Sequence, residues 1–145
     1  MLTIIAARAT PPATLAVELS NGRTLTVDAS QLIGSAGYRL LSDPERFSAI
    51  TVADWGHAIE WPAIDQGLAI DTLIRLAREQ AGTAFPTTDF NAWMQRNGLD
   101  IRAAAEALGL PQRAVVRYHA GQKPIPIYIG LACEGWEARR LRAAA

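Results

Sequence analysis

Four side chains that could turn one helix face toward a polyanion stand close together in this chain. Gln112, Arg113, Val116 and Arg117 fall at i, i+1, i+4 and i+5, the spacing of one face of a helix. A glutamine amide can bond an adenine edge at two points, and an arginine can do so to guanine or can pair with phosphate. Other chemistry has little material. His57 and His119 are the two histidines, and neither stands at a spacing from Asp or Glu that suggests a metal site. His57, beside Asp54 and Glu60, reads as a polar neighbour in a turn. No glycine-rich phosphate loop precedes a helix. Cys133 is the single cysteine, so it forms no intramolecular disulfide and reads as a small buried hydrophobe. The expectation is a chain that is not an enzyme and uses neither cofactor nor metal.

The elements that must hold the four side chains follow from caps and glycines. Thr88 is expected to cap a helix through Phe90, Trp93 and Met94, which Gly98 stops. Asp100 caps a second, whose apolar stripe is Ile101, Ala104, Ala105 and Leu108. Gly109 breaks it, and Pro111 opens a third helix with Val115 and Tyr118 inward. Pro124 and Pro126 precede a fourth helix containing Ile127, Ile129, Leu131 and Ala132, and the alanine-rich end is expected to fray. Two short helices joined by a glycine turn meet the requirement of a helix-turn-helix. Small Ala104 and Ala105 let the third helix cross close over the second and present its outer face to a major groove. Trp93 and Trp136 read as core or dimer packing. Arg139, Arg140 and Arg142 read as a basic tail or a solvated helix end.

The first half has a different texture. Thr14–Leu19 and Thr24–Asp28 alternate apolar and polar side chains around Asn21-Gly22, which predicts a hairpin with a type I′ turn. Leu2–Ala7 is a preceding strand ended by Pro11-Pro12, and Ser48–Asp54 with Ala58–Trp61 form a second hairpin. Ser30–Ser35 and Asp43–Phe47 read as helical turns, and Asp71 as the cap of a helix stopped by Gly82. Trp55 and Trp61 are expected to cover the sheet or flank a small-molecule pocket. The whole is α+β: a small antiparallel-sheet domain with short helices at 1–82, a Gly/Pro/Thr linker, and an all-α domain at 88–145.

Charge divides the same way. The 145 residues carry 14 basic and 14 acidic side chains, but Met1–Thr88 holds six against nine and Asp89–Ala145 eight against five. The second half is thus the better match for a polyanion. Half the residues are apolar and 19% are charged, enough for a core and unlike a disordered chain. No apolar run approaches the roughly 20 residues needed to span a bilayer. The start lacks the basic, apolar pattern of a signal peptide, so a cytoplasmic protein without membrane contact is expected.

Two resemblances follow. Leu15…Asn21-Gly22…Val27-Asp28, Leu40…Asp43-Pro44…Phe47 and Ile59-Glu60-Trp61-Pro62…Asp65 are similar to the bacterial domain-of-unknown-function family numbered 2442. That family has no settled activity, though some members look like partners in toxin–antitoxin operons. The stretch Leu99–Pro111, with Val115 and Gly121-Gln122-Lys123-Pro124, resembles the lambda-repressor-like, or Cro-type, helix-turn-helix domains. That resemblance makes Gln112, Arg113 and Arg117 groove-facing and Lys123 a phosphate contact. Ile101 stands where the family usually has a glutamine on the DNA backbone, and His119 where many members have a glutamate.

Together these readings lead to a sequence-specific DNA-binding regulator, a repressor or operon autoregulator, working as a homodimer on double-stranded DNA. The alternatives are a protein-interaction module or antitoxin-like partner with a degenerate helix-turn-helix, and a regulator whose first domain senses a metabolite.

Overall fold

The computed structural model describes Met1 to Ala145 and divides into two compact units, Met1–Gln80 and Ala81–Ala145. The first opens with β1 (Ile4–Thr10), β2 (Thr14–Leu19) and β3 (Thr24–Asp28), an antiparallel sheet in sequence order. Leu15 faces Val27 and Ala9 in register, and all three are buried. The expected alternation of side chains is therefore what gives this sheet its inner face. The turn differs from expectation. Gly22 (φ +85°) has positive φ there and Asn21 does not. Gly22 N–H donates to the Leu19 carbonyl at 2.9 Å, Leu19 N–H to that of Arg23 at 2.8 Å, and Asn21 Oδ1 accepts from Arg23 N–H at 3.0 Å. A turn closed by one left-handed glycine is the bulged hairpin connection, and it spares Asn21 the left-handed backbone of type I′.

After α1 (Ser30–Ile33) and a 3-10 turn at Arg39–Ser42 comes α2 (Pro44–Ser48). Asp43 caps it by accepting from Glu45 N–H. A second antiparallel sheet then follows: β4 (Thr51–Val52), β5 (Ala58–Trp61) and β6 (Gln66–Ala69). The third of these strands was not foreseen. Its glycine weakens any strand signal, yet a Cβ on Gly67 would sit 2.7 Å from the Ile59 carbonyl, so only glycine permits the pairing. The unit closes with α3 (Ile70–Gln80), which begins one residue before Asp71, so Asp71 lies in the first turn rather than at the cap. Gln80 clamps β3 from the far end of α3: its Oε1 accepts from Asp28 N–H at 2.7 Å and its Nε2 donates to the Asp28 carbonyl at 2.8 Å.

Trp61 is buried, stacked on Phe47 at 6.1 Å and donating Nε1–H to the Phe47 carbonyl at 2.9 Å. Burial of an aromatic of this size contributes about 1.5–3 kcal/mol. Trp55, by contrast, covers nothing: it is 91% exposed. A pocket between the two tryptophans therefore does not form.

The second unit is helical: α4 (Thr87–Arg96), α5 (Ile101–Leu108), α6 (Gln112–His119) and α7 (Ile127–Ala144). The N-cap position of α4 is Pro86 rather than Thr88, that of α6 is Pro111, and α7 runs on through the alanines expected to fray. The segment read as a linker belongs to this unit. Ala84 is buried, and Phe85 N–H donates to the Ile125 carbonyl at 2.7 Å. The division falls between Gln80 and Ala81, at the start of the Ala81–Thr88 segment read as the linker. Phe90, Trp93, Ala104, Val115, Ile125 and Cys133 form the centre of its core. No helix is long and apolar enough to cross a membrane.

Candidate nucleic-acid interface

Local chemistry fixes the ends of α5. Asp100 accepts from Ala103 N–H at 2.8 Å at its start. Gly109 at φ +69° ends it, and the N–H groups of Gly109 and Leu110 both donate to the Ala105 carbonyl. A residue with a Cβ would be strained in that backbone. Pro111 then turns the chain in extended conformation (φ −62°, ψ 144°) into α6.

Inward, α6 buries Val115 and Tyr118, and the Tyr118 ring meets Phe90 of α4 edge-on at 5.9 Å. That burial pushes the Tyr118 phenol up from its ordinary pKa, with the Tyr128 phenol adding a smaller push in the same direction. Ala104 and Ala105 are the buried residues of α5, so its centre presents small methyl groups to the core it shares with α6. Ala114 is half-buried against the same core, and the outer face is left to the other positions. Gln112, Arg113, Val116 and Arg117 are all exposed, Val116 at 47%.

The end of α6 is tied back. His119 Nδ1 lies 2.8 Å from Asn91 Oδ1, and Asn91 Nδ2 donates to the His119 carbonyl at 3.1 Å. His119 therefore orients α6 against α4, a role invisible without the fold. Gly121 at φ +72° redirects the chain, and buried Ile125 anchors the loop that carries exposed Lys123. Ile101 is half-buried on the core edge.

Charge on this face is uncompensated. Elsewhere in the unit three of the five acids have partners: Glu106 pairs with Arg102 at 3.3 Å, Glu137 with Arg96 at 2.9 Å, and Asp100 caps α5. None pairs with Arg113, Arg117 or Lys123. The fold thus sets Gln112, Arg113, Val116 and Arg117 on one helix face, while Lys123 sits on the following loop.

In the first unit His57 Nδ1 lies 2.6 Å from the Asp54 carbonyl, a local turn bond that involves neither neighbouring carboxylate. A cleft of about 710 Å³ lies between β3–α1 and α3, with Leu32, Leu68 and Leu76 on its walls and Asp28, Arg75 and Gln80 among its polar groups.

The family of proteins of unknown function DUF2442 matches residues 4–79, about half the chain. A crystal structure described as a "putative DNA binding protein" from Nitrosomonas europaea ATCC 19718 is 35% identical, with a TM-score of 0.62 over 97% of this chain and 89% of that one. A crystal structure of a protein of unknown function from Rhodospirillum rubrum ATCC 11170 is 21% identical over 57% of this chain and 88% of that one, at a TM-score of 0.39. No curated protein matches significantly. The match over residues 4–79 establishes that the chain belongs to the DUF2442 family.

Proposed function

We propose that the chain is a sequence-specific DNA-binding protein that regulates transcription, as a repressor or autoregulator of its own operon. One observation carries this reading: the exposed face of α6, where Gln112, Arg113 and Arg117 have no acidic partner. In it α5 and α6 act as a helix-turn-helix of lambda-repressor-like type. The face of α6 enters the major groove, and Lys123 holds a phosphate from the following loop. The similar Nitrosomonas europaea structure, described as a "putative DNA binding protein", supports the same reading.

Selection of bound oligonucleotides from a random pool at two ionic strengths tests it. A palindromic consensus is expected, because repressor-type modules pair to read two half-sites. On that site, Arg113→Ala or Arg117→Ala should cost about 1–3 kcal/mol and relax specificity if the residue reads a base. Lys123→Ala should weaken binding to all sequences alike and make the slope of log affinity against log salt shallower by about one. Unchanged operator affinity in both arginine variants, with helix content intact, overturns the assignment.

A second reading, a protein-interaction module gripping its partner through the first unit, is favoured by Trp55. That side chain is 91% exposed on a left-handed backbone (φ +66°). Strained backbone clusters at functional sites and tryptophan is enriched at interface hot spots, and the two coincide here. A stoichiometric protein companion from the native host that Trp55→Ala releases would support this reading over the first.

A further inference from the structure

The last helix has one face packed and one face bare. On the packed side Ile129, Gly130 and Cys133 are buried, and Trp136 meets Trp93 of α4 edge-on at 5.6 Å. Arg140 lies 5.3 Å over the Trp136 ring and donates to the Asn97 carbonyl at 2.9 Å. On the bare side Tyr128 is 68% exposed and Leu131 62%, an unusual outlay of apolar surface on one helix.

The exposed positions of the bare face pair off about Gly135. Ala132 and Ala138 stand three residues to either side, Leu131 and Arg139 four, and Tyr128 and Arg142 seven. At 3.6 residues per turn all of these share one stripe. A Cβ on Gly135 would meet nothing within 4 Å, so the backbone is uncovered at the centre of symmetry. A shallow groove of about 440 Å³ flanks it, between Ala107–Leu108 of α5 and Ala132, Gly135 and Ala138 of α7.

We propose that α7 docks antiparallel on α7 of a second copy of this chain, crossing at Gly135. In a two-fold pair each position meets its mirror position on the partner. The alanines three residues out and the glycine between them let the backbones approach closely. Tyr128 of one copy then faces Arg142 of the other, a cation over an aromatic ring, and Leu131 lies along the aliphatic stem of Arg139 beside the groove. Charge selects the direction. A parallel pair would set Arg139 and Arg142 against their own counterparts, whereas the antiparallel pair sets each cationic end against an uncharged aromatic one. It also opposes the two helix dipoles. No residue of α6 lines the groove. The pairing supplies the two-fold axis that palindromic reading needs, and in that sense completes the proposed function, but it stands on α7 and is tested without DNA.

Sedimentation equilibrium of the full chain over a concentration series is the test. The wild type should associate to twice its 15.6 kDa. Leu131→Glu should weaken the dimer at least about tenfold, with the far-UV circular dichroism unchanged. Gly135→Cys gives an independent readout, because the one native thiol cannot compete: burial pushes Cys133 up to about 12 and leaves it 1% exposed. Mild oxidation should link Gly135→Cys into a covalent dimer faster than Arg23→Cys, placed on the first unit's hairpin. A monomeric wild type, a Leu131→Glu dimer as tight as wild type, or equal linking of the two cysteine variants overturns the proposal. Monomers that still bind half-sites would sink this inference and spare the DNA reading. A Gly135-centred dimer without affinity for any sequence would do the reverse.

Discussion

Glu137 shows how a single carboxylate fastens a helix. It accepts two bonds from Arg96 at 2.9 Å each and one from Asn97 Nδ2 at 2.6 Å. The Arg96 bond first, and the Asn97 bond second, hold its carboxyl below the usual range for a glutamate, while Arg96 is raised in return. A lowered folded pKa means that the unfolded chain binds the proton more readily. The stabilisation is therefore whole above the ordinary glutamate value and is lost as pH falls through the folded one. Glu137→Gln should lower the Tm of the second unit at neutral pH and flatten its decline below the carboxylate range. Parallel Tm–pH curves for variant and wild type would contradict this. Both partners are solvent-accessible, so the neutral-pH loss should be small and should shrink with salt.

At the level of elements, α7 depends on a residue with no side chain. A Cβ on Gly130 would run into the Phe85 ring, so the helix lies flush on the segment that leads into α4. Gly130→Ala should destabilise the second unit by about 1–3 kcal/mol, the ordinary cost of overpacking. Thermal melts of Gly130→Ala against the wild type make the comparison. Equal Tm values for the two would show the contact to be slack. Sequence alone made most of these elements legible, for identifiable reasons. The alternation in Thr14–Leu19 and Thr24–Asp28 matches a sheet buried on one side, and Asp100 with Gly109 bounds α5 by local chemistry. What failed was decided by tertiary partners. Gln66–Ala69 pairs with β5 through a close glycine that reads as a loop signal, and Phe85 enters the core through its bridge to Ile125. The choice between turn types at Asn21-Gly22 rests on backbone hydrogen bonds that residue identities alone do not rank.

Across the whole molecule, each unit has its own core: one centred on Leu15, Phe47, Ile59 and Trp61, the other on Phe90, Trp93, Val115 and Ile125. Fragments Met1–Gln80 and Ala81–Ala145 should therefore each fold alone, with marginal stability at that size. Dispersed amide resonances from both fragments check this, and a collapsed spectrum from either would mean that its core needs the rest of the chain. The helix face of Gln112, Arg113 and Arg117 was legible because helical spacing and the inward Val115 and Tyr118 determine it. Lys123 was reached only by resemblance, since a loop has no periodicity. The role of His119 depends on Asn91, 28 residues away, and no local pattern carries that.

The tryptophans divide between the units as well, with Trp55 and Trp61 in the first and Trp93 and Trp136 in the second. Each half thus carries its own fluorophores. Trp61 sits in an apolar pocket while Trp55 is bathed in water, and Trp93 and Trp136 stand 5.6 Å apart, near enough for their excited states to couple. Replacing the first two by phenylalanine would leave a protein that emits only from its helical half, so that melting of one unit could be watched while the other stays dark.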